Sequence, residues 1–201
     1  MHVRLTLIEG VQDLEGAAKV LAEQVVPRLK EQKGMAGLTA SADKETGLLG
    51  VLSLWQTEAD LEASSLAVSK LRGSATEAMG GRLAGVETYE QVEMEMTGPP
   101  PSPGSPLVLV RSKRDPSKVE EDIEFFRAHV LGSIQALPGV AVVRSMMNRQ
   151  TGDALLGVVV GDASHVEGVI DFFRQAKDMA ASHGVELDEP TRREIIFTAM
   201  G

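Results

Sequence analysis

The strongest constraint on this chain is an internal repeat. Lys33-Gly34-Met35 returns as Pro138-Gly139-Val140, and Thr46-Gly47 returns as Thr151-Gly152, each 105 positions later. Leu48-Leu49-Gly50-Val51 recurs as Leu155-Leu156-Gly157-Val158 at a spacing of 107, because Asp153-Ala154 lengthens the second turn by two residues. A shared order of elements with one small slip at a turn marks a diverged duplication. Between the copies lies Thr97–Pro106, with five prolines in ten residues. Proline supplies no ladder donor and breaks helix interiors, so this segment reads as a stiff, extended tether that can reach roughly 30 Å. The chain divides accordingly into a first repeat at 1–96, a linker at 97–106 and a second repeat at 107–201.

Each copy reads as strand, helix, strand, strand, helix, strand. Residues 3–9 alternate as a strand, and a helix follows from about Asp13 with Leu14, Ala18, Leu21, Val25 and Leu29 on one face. In the second copy Asp115-Pro116 supplies a cap and a first-turn proline, and Val119, Ile123, Phe126, Val130 and Ile134 repeat the apolar stripe. Hairpins are expected around Glu45-Thr46-Gly47 and Gln150-Thr151-Gly152, where glycine permits a positive φ. The second helices open with Thr57-x-x-Asp60 and Ser164-x-x-Glu167, both of capping-box form, and stop at Gly80-Gly81 and Gly184. Pro27 and Gly132 occupy the same position inside the first helix of each copy, which marks a shared break. It reads either as a bend following the twisted sheet or as a kink that opens a gap between helix and sheet.

This order is the ferredoxin-like split βαβ arrangement. Leu49, Val51, Leu52 and Leu54 put apolar groups on both faces of one strand, so each sheet needs cover on its second face. The expected architecture is α+β: two ferredoxin-like βαββαβ repeats whose antiparallel sheets pack into one intramolecular barrel. The chain has no cysteine, which removes disulfides, thiolate nucleophiles and cysteine-ligated metals. The four histidines, at 2, 129, 165 and 183, show no ligand spacing, and no metal site is expected. A net charge of −9 with no concentrated basic patch argues against nucleic acid. No apolar run approaches the ~20 residues of a membrane span, and the start of the chain lacks the apolar core of a signal peptide. A cytoplasmic location without a membrane partner is the expectation.

Residues 35–96 carry a more specific pattern: Lys44-Glu45-Thr46-Gly47, then Ser53-Leu54-Trp55-Gln56-Thr57-Glu58-Ala59-Asp60-Leu61, and later Glu87-Thr88-Tyr89-Glu90. This resembles the antibiotic biosynthesis monooxygenase domain of the dimeric α/β-barrel superfamily. In that family a Glu-Thr-Gly turn leads to a strand ending in Trp and then to an acidic helix start. The second repeat shares the pattern through Gln150-Thr151-Gly152 and the strand order. The resemblance implies that a tandem duplication supplies from one chain, as monomer or homodimer, the pairing that subunits usually provide. It also implies a pocket between sheet and helices. Family members include cofactor-free oxygenases of phenolic substrates and heme-degrading enzymes. The heme-degrading group resembles an Asn–Trp–His constellation, of which Trp55 matches the Trp. The Asn position falls near Val3 and the His position near Ser65, and no cofactor is expected.

Three readings follow. The first is a small-molecule monooxygenase that needs no cofactor and takes an aromatic or phenolic substrate in a pocket of the first repeat. Trp55 would wall that pocket and Arg4 would stabilise a substrate anion, with Thr6, Thr39 and Ser53 as neighbours across the sheet. The second is a non-catalytic binder of a small apolar or aromatic molecule, and the third a scaffold whose pocket is filled by side chains. In the second repeat, Arg144 interrupts an apolar strand and His129 sits beside the apolar helix stripe, a pair suited to an anionic ligand. Each of these residues also has a structural reading: a core Trp, an Arg paired with a carboxylate, a solvated His.

Overall fold

Alternating and helical periodicities place the elements where the sequence puts them, and each half closes around its own aliphatic core. The computed structural model describes residues 1–200. Two units form: Met1–Thr88 with Ser102–Gly104 and the chain end from Glu194, and Tyr89–Pro101 with Ser105–Arg193.

The first unit holds β1 (His2–Glu9), α1 (Leu14–Val20), α2 (Val26–Lys30), β2 (Met35–Asp43), β3 (Leu48–Trp55), α3 (Glu58–Ala63), α4 (Ser65–Ala78) and the start of β4 (Arg82–Met96). Asp13 caps α1 by accepting the Gly16 N–H at 2.8 Å. Thr57 caps α3 through the Asp60 N–H, and its hydroxyl donates to the Asp60 carboxylate at 2.6 Å. The strand order is β4-β1-β3-β2, with Arg4 opposite Ser53 and a register shift between Met35 and Gly37. Leu21, Leu38, Leu49 and Trp55 are wholly buried in this core.

The second unit repeats the plan with β5 (Pro106–Lys113), α5 (Val119–Phe125), α6 (Leu131–Gln135), β6 (Val140–Met147), β7 (Asp153–Val160), α7 (Val166–Ser182), the short β8 (Glu186–Leu187) and β9 (Thr191–Met200). Its order, β9-β5-β7-β6, is that of the first unit, as the duplication demands. Strands β4 and β9 each run on past the unit boundary. Glu90–Met96 of β4 pairs with β6, and Glu194–Met200 of β9 pairs with β2. The hydrogen-bonded order β7-β6-β4-β1-β3-β2-β9-β5 returns to β7 through β5, giving a closed antiparallel β-barrel in an α+β fold.

Two details differ from the sequence expectation. Asp162, not Ser164, accepts the capping hydrogen bond before α7, and residues Ala163–His165 form a 3-10 turn that delays the α-helix to Val166. Asp115 likewise caps a 3-10 turn, Pro116–Lys118, before α5 begins. In both cases an aspartate fixed two residues ahead tightens the first turn, so the capping-box spacing at Ser164 is fortuitous.

The shared break in the first helices has a definite form. Leu21–Val25 and Phe126–Val130, 105 positions apart, are single π-helical turns in which Val26 N–H reaches Leu21 O and Leu131 N–H reaches Phe126 O. A wide turn lets the helix restart with Pro27 in the first turn of α2, where its missing N–H is not needed. The helix neither ends nor simply bends. Its widened turn brings Leu21 and Val25, and in the second copy Phe126 and Val130, to the wall of a cavity.

Candidate functional site

Each unit has a cavity between its sheet and its helices. In the first unit, Arg4, Thr6 and Ile8 project from alternate positions of β1, Val51 and Ser53 from β3, and Leu38 from β2. The helical side adds Leu21, Val25 and Leu29 with Val68, Leu71 and Arg72 of α4. The free volume is only about 40 Å³. A buried water needs about 10–15 Å³ measured this way, so the space holds roughly three water-sized groups.

Arg4 is 3% exposed. It donates to Ser64 Oγ at 3.0 Å, Leu61 O at 2.6 Å and Ser65 Oγ at 2.9 Å, all neutral acceptors. Its guanidinium carbon lies 5.6 Å from the Trp55 ring centre. Burial, and then the neighbouring Arg72, pull its pKa below the usual arginine value. Trp55 is fully buried and its Nε1–H donates to Ser53 Oγ at 3.1 Å. It faces neither of the two cavities.

Of the residues singled out in the first repeat, the structure therefore gathers Arg4, Thr6 and Ser53 around one space. Thr39 is not among them. Leu38 pairs with Ser53 and lines the cavity, while Thr39 pairs with Leu52 and so faces the other side of the sheet. A one-residue step in register inverts the face, and the irregularity between Met35 and Gly37 hides that step from the sequence.

The second unit's cavity is larger, about 120 Å³. Four of the chain's five phenylalanines, Phe125, Phe126, Phe172 and Phe173, line it, along with Met147 and Met179. Phe172 and Phe173 pack edge to face at 5.3 Å. Its polar members are Ser112, Arg114, Asp122, Ser145 and His183. Arg114 donates to Ser112 Oγ at 2.6 Å, and its Nε is buried without a partner among the described residues. Burial lowers the Arg114 pKa against the pull of Asp122, and burial raises the Asp122 carboxyl above the ordinary range against the pull of Arg114. The space is thus mainly apolar, with a few polar groups and one under-used donor at its wall, the general make-up of a small-molecule pocket.

The second-repeat residues expected to act together do not meet at this space. Arg144 is half-buried on β6 beside Ser145, which faces the cavity; strand alternation sends Arg144 to the opposite face. There it donates to Met94 Sδ at 3.3 Å while its Nε stays buried and unpartnered among the described residues. His129 is exposed on the π-helical turn and packs on Phe125 at 4.9 Å, from outside the cavity. The sequence signal for the real lining was present in the two Phe-Phe pairs, in a chain with only 3% aromatic residues.

The residues do not fit a heme. The positions of the resembled Asn and His hold Val3, wholly buried, and Ser65, engaged by Arg4. A cavity of about 150 Å³ accommodates a single benzene, so neither space admits a four-pyrrole macrocycle. Among the described residues no group of three or more His, Asp or Glu is arranged to hold a metal ion, and no helix is long and apolar enough to cross a membrane.

Comparison with known proteins agrees with the architecture. No family model matches the chain. An uncharacterized protein of Mycobacterium tuberculosis is 24% identical over 192 residues, covering 94% of this chain and 85% of its own length. The crystal structure of an anthrone oxidase-like protein superposes with a TM-score of 0.67 at 12% identity, over 99% of this chain and 93% of that one. A monooxygenase-like protein from Listeria innocua gives 0.54 at 8% identity, over 96% and 93% of the two chains. A heme-binding protein from Thermus thermophilus gives 0.59 at 12% identity, over 96% and 90%. The chain thus has, in a single duplicated polypeptide, the dimeric α/β-barrel fold of the monooxygenase-like proteins.

Proposed function

We propose that this chain is a small-molecule monooxygenase that acts without a cofactor on a single-ring phenolic substrate. The observation that carries the reading is the second-unit cavity: apolar, partly open, walled by four phenylalanines, and lined by Arg114, whose Nε has no partner among the described residues. The sequence expectation set the pocket in the first repeat, but about 40 Å³ there is too little for a ring. In the second unit the phenol hydroxyl would give its proton to Asp122, whose raised pKa suits a base. Arg114 would donate to the resulting phenolate, which is the species that gives an electron to oxygen. In the overall change one ring C–H and the phenol C–OH both become carbonyls; O₂ supplies the new oxygen atom, and its second oxygen leaves as water with the two hydrogens lost from C–H and O–H. The monooxygenase-like names among the structural neighbours support the reaction class.

The test is oxygen uptake with resorcinol as probe, run beside calorimetric binding. Saturable binding with one O₂ consumed per product, and labelled oxygen from ¹⁸O₂ in that product, is the expected result. Arg114→Gln should abolish turnover. Binding without oxygen consumption would establish the second reading, a non-catalytic carrier in the same cavity. No binding would overturn both.

A further inference from the structure

The first unit's cavity differs from the second in wall and in charge. No aromatic ring lines it; Leu21, Val25, Leu29, Leu38, Val68 and Leu71 make a mainly aliphatic surround, with the hydroxyls of Thr6 and Ser53 on the sheet side. Two guanidinium groups face it, Arg4 from β1 and Arg72 from α4. The donors of Arg4 go to neutral oxygens alone. Arg72 has no hydrogen-bond or ionic partner among the described residues, and its Nε is buried. No carboxylate lines the cavity to offset either group; the charge that Arg4 feels is that of Arg72, and burial depresses both. Two like charges held together in a low-dielectric space are costly unless a counter-charge joins them.

The dimensions say what kind of counter-charge. Space for roughly three water-sized groups is the room a carboxylate needs. The cavity also shares Leu29, Val68 and Leu71 with an outer cleft of about 630 Å³, whose walls add Arg28, Lys70 and Glu31. Leu29, Ala67, Val68 and Leu71 form an apolar strip through that cleft, flanked by those charged groups, Gln32 and Ser74.

We propose that the first unit binds an aliphatic monocarboxylate, its headgroup held by Arg72 in the field of Arg4 and its chain lying along Leu29, Val68 and Leu71 into the outer cleft. Planar guanidinium and carboxylate match in geometry, and a charge-assisted pair is about twice as strong as a neutral hydrogen bond. The aliphatic walls select against the ring that the second unit accepts. This site is separate from the phenol cavity and does not depend on any oxygen chemistry there.

Titration calorimetry at low salt with octanoate and octan-1-ol tests the assignment, using the whole chain, Arg72→Gln and the second-unit variant Ala176→Leu. Octanoate should bind one per chain, with Arg72→Gln weakening it about tenfold or more. Octan-1-ol, with the same tail and no charge, should bind weaker by a similar factor, and Ala176→Leu should leave octanoate binding unchanged. Arg72 is half-buried on α4 and its Nε unpartnered, so the ligand-free Arg72→Gln protein should unfold at or above the wild-type temperature. The proposal is overturned by absent octanoate binding, by equal binding of the alcohol, by unchanged affinity in Arg72→Gln, or by a fall in that variant's unfolding temperature.

Discussion

Filling the second-unit cavity should trade binding for stability, and the size of the trade follows from its volume. Ala176 lines the space from α7, so Ala176→Leu places an isobutyl group among Phe126, Phe172 and Met147 without disturbing a hydrogen bond. Empty volume in a protein interior costs about 24 cal/mol per Å³. For a cavity of about 120 Å³ that amounts to ~3 kcal/mol if it were closed and fully filled. The mouth is partly open and leucine fills only part of the space, so about half that gain, ~1.5 kcal/mol, is expected. For a chain of this length it raises the thermal midpoint by roughly 3–6 °C. Thermal unfolding followed by circular dichroism measures the gain, and calorimetry with resorcinol measures the loss, expected at tenfold or more. The reasoning is refuted if the variant is no more stable, or if it binds resorcinol as tightly as wild type. The first result would mean that the space is not apolar and empty, the second that the ring binds elsewhere.

Three further outcomes follow. Trp55→Phe removes the hydrogen bond to Ser53, shrinks the ring face under Arg4 and leaves a gap in the core, and should cost about 2–3 kcal/mol in urea unfolding; a loss under about 1 kcal/mol would show that Trp55 is not structural. Gly152 has φ +73°, and a Cβ there would sit 2.0 Å from the Arg114 carbonyl oxygen, so Gly152→Ala should destabilise by at least about 2 kcal/mol and weaken resorcinol binding by displacing Arg114; an unchanged midpoint and affinity would contradict this. Asp122 has a folded pKa raised above its unfolded value, so the folded state holds its proton more tightly and this contribution to stability is lost as pH rises from the ordinary carboxyl range through the folded pKa. The stability of wild type minus that of Asp122→Asn should therefore fall with rising pH over that window; a difference that rises instead would reverse the assignment.

The duplication was legible because it is written in turn chemistry. Gly34 and Gly139, and Gly47 and Gly152, all take positive φ in the structure, and glycine is the residue that tolerates it. The helix stripes were equally legible, since Leu21, Val25 and Leu29 recur at helical spacing and all three are buried. The π-helical turns were visible only as a shared irregularity at Pro27 and Gly132, because neither residue alone specifies an i→i−5 bond. Site residues fared according to whether strand alternation survived. Arg4, Thr6 and Ser53 lie on one face, as a simple β1–β3 pairing requires. Thr39 was misplaced because register between β2 and β3 depends on a bulge that leaves no mark on composition. The cap of α7 was misplaced because Asp162 and Ser164 are both good caps, and the choice is made by the 3-10 turn they share. The phenylalanine-lined cavity escaped because Phe125-Phe126 and Phe172-Phe173 lie on different helices, and nothing local says that α5 and α7 close over the same patch of sheet.

The most direct test of the second-unit site is a methyl-NMR titration of the protein, labelled at its methionine methyl groups, with resorcinol. Met147 and Met179 line the second-unit cavity, while Met1 and Met200 are exposed and line neither cavity. Ring binding in the second-unit cavity predicts saturable shifts at Met147 and Met179 with Met1 and Met200 unmoved, and loss of those shifts in Ala176→Leu. Shifts confined to other methionines, or none at ligand concentrations that saturate binding, would contradict it.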